Sequence, residues 1–388
     1  MNDRPATGYN AAMKRAYWTK PDVFEAEVEV RTLGDCKVTI DPNMFHPDEG
    51  GQPADKGSIG PATICRIEIT EGQIVHTLDR PLADGTYTAR LDAEHRLYTA
   101  AHHTAQHIIS GIAESRFGLH TTGVHIGLER CTVDFDRKTD WQTLRAIERE
   151  AMQVVALNVP VETVFDDTDV RIRSDSKQIT PEVVRVVRIG DYDSSACCGA
   201  HVAATGRIGL IRIFETESKK QGTRVYFLAG SRALEMSQSE TAILAELRKT
   251  AGCSTVELPE SLRKTLDRSK SLAKEIEKLW SAQLPALAAA SQVVQAGAAK
   301  VGICVAELPA NLTGKLAAMI AEQTGGAGIV VNGLHIAISS KNAHAGELLR
   351  KIQGTLGGKG GGSPKAANGI LNHPPTPDQI AKILTTSP

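Results

Sequence analysis

His103-Thr-Ala-Gln-His107 and Cys197-Cys-Gly-Ala-His201 each place two metal-binding side chains four positions apart. Together they offer three imidazoles and one thiol, a donor set of the size and softness that Zn²⁺ prefers. On a helix, this spacing puts both imidazoles on one face, one turn apart. The second pair carries Gly199, a poor helix former, so a tight loop is expected to bring its two ligands round to one point. With 12 His in 388 residues, a lone His-x-x-x-His pair arises often by chance. The two half-sites together, one on a helical pattern and one on a Gly-bearing loop, point to a single shared ion per chain. Cys198 stands three residues before His201 rather than four, so Cys197 is the expected ligand and Cys198 its neighbour.

The elements that must carry these donors read as α+β. Residues 24–30, 37–40, 63–69 and 86–91 alternate apolar and polar side chains between Gly- and Pro-rich turns, the pattern of a small antiparallel barrel or sandwich. From Asp92 the period becomes helical and runs to Gly118. A strand at 132–135, a helix at 141–157, and strands at 161–164, 183–189 and 208–214 follow. Residues 230–297 read as helical, broken at Gly252-Cys253 and Pro259. Leu262, Leu266, Leu272, Ile276 and Leu279 recur there at helical spacing, as in a hairpin or a dimerising arm. Residues 301–306, 328–331 and 334–338 (strands), with 313–323 and 347–353 (helices), form a last α/β unit, followed by a Gly-rich loop at 357–363. The expected division is 1–92, 93–232, 233–298 and 299–388.

Composition narrows the function class. Forty-four basic against 45 acidic residues leave no overall basic field, so nucleic-acid contact must come from local patches. Aromatic content of 4% speaks against a base-stacking platform. Seven Cys scattered along the chain fit reduced cytoplasmic thiols better than a disulfide framework. No apolar run follows the first basic residues, and none reaches the length of a membrane span.

A second cluster, Phe45-His-Pro-Asp-Glu-Gly-Gly-Gln-Pro-Ala-Asp-Lys-Gly57, has two prolines that fix φ and the pair Gly50-Gly51, which permits a close backbone approach. Gln52 sits at its tip with both a donor and an acceptor. It reads either as an ordinary barrel turn or as a wall gripping a small polar group.

FHPDEGGQPADKG, HTAQH with Arg96 upstream, and RVVRIGDYDSSACCGAHVAATGRIGL together resemble the editing domain of alanyl-tRNA synthetases and its free-standing AlaX relatives. Lys219-Lys-Gln-Gly-Thr-Arg224 resembles the stretch that closes that domain. GGKGGGSPKAANG, residues 357–369, is similar to the Gly-rich signature of the C-terminal domain shared with DHH-type phosphoesterases. The ordered matches run from about residue 16 to 370 and fit the long form of AlaX best.

The resemblance implies a cytoplasmic hydrolase that acts in trans on mischarged tRNA(Ala), chiefly the seryl and secondly the glycyl ester, without aminoacylating. It implies Zn²⁺ on His103, His107, Cys197 and His201, and matches Gln52 to the family's glutamine. Asn43 stands where the family often has a serine-sensing Thr, and an amide can still bond a serine hydroxyl. Gly50, Gly51 and His125 are further expected wall residues. A zinc-bound water, or a role for His201 as exchangeable ligand, is the expected catalytic device. The motif HTAQH lacks the Glu of HExxH hydrolases, so no general base is evident. A structural ion that anchors the RNA end remains the alternative, since four protein ligands close a zinc site. Arg185, Arg188, Lys219, Lys220 and Arg224 flank the Cys-His loop and are candidates for acceptor-stem phosphates. Lys359 and Lys365 are candidates in the Gly-rich loop. That loop is no P-loop, because Lys359 is followed by Gly. A tRNA-binding protein with a structural ion is the rival function; a phosphoesterase would need an Asp-His-His motif that the sequence lacks. The helical arm and the C-terminal domain each offer a surface for a homodimer.

Overall fold

A computed structural model describes residues 15–165 and 185–386. Contacts divide the chain into two units, Met1–Leu244 and Ala245–Pro388.

The first unit begins with a closed barrel. Strands β1 (Glu25–Gly34), β2 (Lys37–Asp41), β3 (Gly57–Ile59), β4 (Ala62–Thr70), β5 (Gln73–Leu78) and β6 (Gly85–Leu91) close in the order β1-β2-β5-β4-β3-β6. Alternation in β1 sends Val28 and Val30 inward, where they meet Val38, Phe45, Ile59 and Ile67. The expected small barrel is present, with β3 and β5 added by the structure. Both lacked the alternating run that marks their neighbours.

Helix α1 (Ala93–Phe117) leaves the barrel directly. Asp92 caps its N-terminus by accepting from the His95 amide, and Gly118 ends it in the left-handed conformation. The helix is buried along almost its whole middle, from His95 to Ala113, and Ile108, Ile109 and Ile112 anchor the main core. Around it run β7 (Thr121–Ile126), β8 (Cys131–Phe135), α2 (Trp141–Leu157), β9 (Val161–Phe165), β10 (Arg185–Ile189), β11 (Asp193–Ala196), β12 (Ile211–Ser218) and β13 (Thr223–Ala229). They form a three-stranded sheet, β11-β10-β9, and a four-stranded sheet, β12-β13-β8-β7. The strand expected at 208–214 starts instead at Ile211, because Thr205–Ile208 is a 3₁₀ turn. Val183 and Val184 of the expected strand lie outside the described residues.

Helix α3 (Gly230–Ala251) spans the boundary between the units. The second unit holds α4 (Leu258–Ala289) and then β14 (Gln292–Ala296), β15 (Ala299–Val305), α5 (Ala310–Thr324), β16 (Ala327–Asn332), β17 (His335–Ser340), α6 (Ala345–Leu356), β18 (Lys359–Gly362), β19 (Ala366–Ile370) and α7 (Pro377–Thr385). The sheet order is β14-β15-β16-β17-β19-β18, with only β15 and β16 parallel. One apolar layer joins its strands to α6 and α7, and another joins them to α5 and the end of α4. Two expectations are corrected here. Residues 292–296, read as helical, form a strand that pairs with β15. The Gly-rich segment is no loop: Lys359–Gly362 pairs with β19 as the edge strand of the sheet. The apolar stripe of α4 stays exposed at Leu262, Leu266, Leu272, Ile276 and Leu279.

Candidate metal centre

Helix α1 places His103 and His107 one turn apart, and the chain leaving β11 brings Cys197 and His201 against them. One donor atom from each of the four lies within 4.8 Å of all the others. Cys197 Sγ stands 3.5 Å from His103 Nε2 and 3.3 Å from His201 Nε2. A tetrahedral ion with bonds of about 2.0–2.3 Å holds its ligands about 3.3–3.8 Å apart, so these separations suit such an ion. The three histidines lie 3–5% exposed, while Cys197 as a residue is partly buried.

Each imidazole is held by its outer nitrogen. His103 Nδ1 meets Gln52 Oε1 at 2.6 Å, His107 Nδ1 meets Asp193 Oδ2 at 2.6 Å, and His201 Nδ1 meets Thr104 Oγ1 at 3.1 Å. Ser195 bonds the same Asp193 carboxylate. Such partners fix the tautomer and turn Nε2 toward the centre. Two glycines make the approach possible. A Cβ on Gly111 would overlap the Tyr192 carbonyl, so the turn that delivers Asp193 can cross α1 only at a glycine. A Cβ on Gly199 would overlap the His103 ring and stand 2.6 Å from Gln52 Oε1.

The charges fit a cation. Burial alone would raise the Cys197 thiol, yet the facing His103, His201 and His107 hold it well below its ordinary value. Burial opposes charge on His107, but the Cys197 thiolate and the Asp193 carboxylate raise it to about 9. Burial, with His103 adding to it against the pull of Cys197, keeps His201 well below its ordinary value. The thiolate and the Asp193 carboxylate thus favour positive charge at His107, the kind of charge a bound cation would supply. Cys198 differs: burial and the charges of Glu49 and Cys197 push its thiol to about 12.

Gln52 is fully buried. Its Oε1 accepts from His103 and from the Ala200 amide, and its Nε2 has no partner among the described residues. The sequence offers Gln52 as part of a barrel turn or of a gripping wall; its hold on His103 comes from the structure alone. Gly50 and Gly51 turn the loop with φ of 66° and 79°, and the Gly51 carbonyl accepts from the Ile126 amide. His125, exposed on β7, shares a cavity of about 750 Å³ with Gly51, Gln52, Arg130, Arg224 and Tyr226. Asn43 is buried and its amide bonds both ways to Phe45 of its own loop, which leaves it shaping the turn. Arg96, missed as a site residue, is buried on the Asp55 carboxylate and the Met44 carbonyl, and so ties the 45–57 segment to α1.

Among the expected phosphate contacts, Arg185 is corrected. It is buried, and its guanidinium donates to the carbonyls of Cys197 and Gly199. Arg224 and Lys219 both bond Asp134, so their charges are largely answered inside the protein. Arg188 is half-buried, while Lys220, Lys359 and Lys365 are exposed.

Residues 184–226 match the family described as the threonyl and alanyl tRNA synthetase second additional domain. The chain is 30% identical over 387 residues to an alanine–tRNA ligase of Methanothrix thermoacetophila, covering 92% of this chain and 42% of the ligase. It is 31% identical over 260 residues to the alanyl-tRNA editing protein Aarsd1 of Bos taurus, covering 64% of this chain and 58% of that protein. The chain is homologous to alanyl-tRNA synthetases and to this alanyl-tRNA editing protein. It spans less than half the length of the ligase and under two thirds of the editing protein. The matched segment 184–226 contains Cys197 and His201, and among the described residues no helix is long and apolar enough to cross a membrane.

Proposed function

We propose that this protein hydrolyses the ester of mischarged tRNA(Ala) in trans, chiefly the seryl and secondly the glycyl ester. The observation that carries this reading is the convergence of His103, His107, Cys197 and His201 beside a Gly-Gly-Gln turn whose side-chain amide nitrogen lacks a partner among the described residues. The relative named as an editing protein supports it. His103, His107, Cys197 and His201 would hold one Zn²⁺, since imidazole nitrogen and cysteine thiolate are both ligand types that metal takes in tetrahedral sites. When bound, zinc supplies Lewis-acid polarisation or a water of lowered pKa.

Discrimination would rest on polar pairing. A pocket for alanine excludes serine poorly, because one small group changes binding by roughly 1–3 kcal/mol. A second site that bonds the hydroxyl reverses the preference, since alanine would leave buried donors unpaired. Gln52 Nε2 is such a donor, and the Gly50-Gly51 backbone lets an aminoacyl end come close. Asn43 would act through the turn it shapes. Water adds to the ester carbonyl, and the ribose hydroxyl leaves with the proton. Lys220, Lys359, Lys365 and Arg188 are the proposed phosphate contacts, with Arg224 and Lys219 as weaker ones. The division at 92, 232 and 298 is proposed to separate barrel, editing region, arm and C-terminal domain, the arm or the last domain serving a homodimer.

One observation favours a second reading. Four protein donors leave no open position, as in structural zinc sites, and a tRNA-binding protein without hydrolysis would need no more. Release of serine from seryl-tRNA(Ala), measured before chelation, after it, and after one equivalent of zinc, separates the two. Loss and recovery of hydrolysis is the expected result; bound tRNA without serine release at any stage would favour the second reading.

A further inference from the structure

Three successive carbonyls of the Cys-His loop, those of Cys197, Cys198 and Gly199, each accept a side-chain hydrogen bond from outside the loop. Arg185 Nη1 donates to Cys197 O at 3.1 Å and to Gly199 O at 2.6 Å. Trp18 Nε1 donates to Cys198 O at 2.9 Å. The two donors also touch each other, with the Arg185 guanidinium 5.2 Å from the centre of the Trp18 ring. With the carbonyls drawn outward, the amides face the other way. The Gly199 N–H points at Cys197 Sγ, 3.4 Å away, and the Ala200 N–H at Gln52 Oε1. Amides aimed at a thiolate stabilise its charge and tune a bound metal.

Trp18 is itself fixed. It ends the 3₁₀ turn Ala16–Trp18, whose first amide donates to Asn43 O at 2.8 Å. Arg15 pairs with Glu49 at 3.0 Å and lies 4.7 Å from the Trp18 ring centre. The Trp18 carbonyl accepts from Thr163 Oγ1 at 3.0 Å. The turn and its flanking Arg15 thus bond the segment from Asn43 to Glu49, β9 and the Cys-His loop together, across 180 residues of sequence between Trp18 and Cys198.

We infer that Trp18 is a positioning residue for the metal centre: with Arg185 it clamps the Cys197–Gly199 carbonyls outward, so that the thiolate and its amide donor keep the orientation that a bound cation needs. The inference rests on the metal reading proposed above. It concerns binding of the ion, independently of any reaction with tRNA.

The test uses cobalt(II), whose thiolate charge-transfer band reports the sulfur ligand directly, on the metal-stripped full chain. Trp18→Phe keeps a ring for Arg15 and Arg185 but deletes the Nε1–H. It is expected to weaken cobalt binding about tenfold and to shift the band, in the range seen when outer-shell partners are removed. Trp18→Ala, which also removes the stacking, should weaken it further. Trp141→Phe, a tryptophan exposed at the start of α2, is the control and should change neither. Circular dichroism shows whether each variant is folded. A merely structural role for Trp18 would lower the melting temperature and leave affinity and band unchanged, and that result overturns the inference. Failure of wild type to bind cobalt would overturn the metal reading and this inference with it. Wild-type binding matched by both Trp18 variants would overturn this inference alone.

Discussion

The barrel and the metal centre both bury a histidine, and they treat it in opposite ways. His76 on β5 is wholly buried in the barrel, its ring 5.6 Å from that of Phe45, and burial pushes it down to about 4 against a small opposing effect of the Val38 backbone. His107 is as deeply placed, yet the Cys197 thiolate and the Asp193 carboxylate overcome burial and carry it to about 9. The lesson is that burial says little about a histidine until its neighbours are counted. In one region the fold excludes positive charge, and in the other it gathers anionic and lone-pair donors around a point where positive charge belongs.

Removing the thiolate should erase that difference most completely. Cys197→Ala is expected to weaken metal binding about a hundred- to a thousandfold, roughly a quarter of the binding free energy typical of four-ligand zinc sites. Competition against a chromophoric chelator measures it, and a loss under fivefold would remove Cys197 from the donor set.

The barrel side responds to acid. Below its unfolded value of 6.5, His76 takes up a proton in the unfolded chain that the folded barrel refuses until about pH 4. Stability contributed by this site is therefore constant above pH 6.5 and falls by about 3 kcal/mol as pH drops from 6.5 to 4. His76→Phe should flatten that part of the curve, read from urea midpoints of the two proteins at matched pH. Parallel curves would show that His76 is not the group responsible.

The next effect down concerns orientation. Asp193→Asn keeps the shape but removes the charge that holds His107 Nδ1, and metal affinity should fall about 10- to 100-fold. An unchanged affinity would mean that the Nδ1 partner is incidental. Smallest is the surface. Lys220→Ala should weaken tRNA binding only a fewfold, and lower the slope of log affinity against log salt by about 1 if the ammonium meets a phosphate. No change of slope removes Lys220 from the interface.

How much of this was visible in the residues alone differs by feature. The long helix was readable because Asp92, the apolar period and Gly118 mark its two ends and its face. The four donors were readable because their spacing is itself chemistry. Asp193, Ser195 and Thr104 were not, since nothing in a lone Asp or Thr tells which imidazole tertiary folding will bring to it. Asp193 did carry a weak signal, as a polar residue four positions before Cys197 on a strand that must pass the site. Arg185 misled for a related reason: a charged residue on a strand reads as solvated until three carbonyls are found waiting for it and Trp18. Short polar strands such as Asp193-Ser-Ser-Ala196 and Lys359-Gly-Gly-Gly362 lack any alternation, and only their pairing partners define them.

The central claim is that residues 103, 107, 197 and 201 share one divalent cation. Zinc K-edge X-ray absorption on the full chain loaded with one equivalent of zinc tests it most directly. One sulfur at about 2.3 Å and three nitrogens at about 2.0–2.1 Å are the expected first shell. A first shell of six oxygen or nitrogen neighbours, or one with two sulfurs drawn from Cys197 and Cys198, would contradict it.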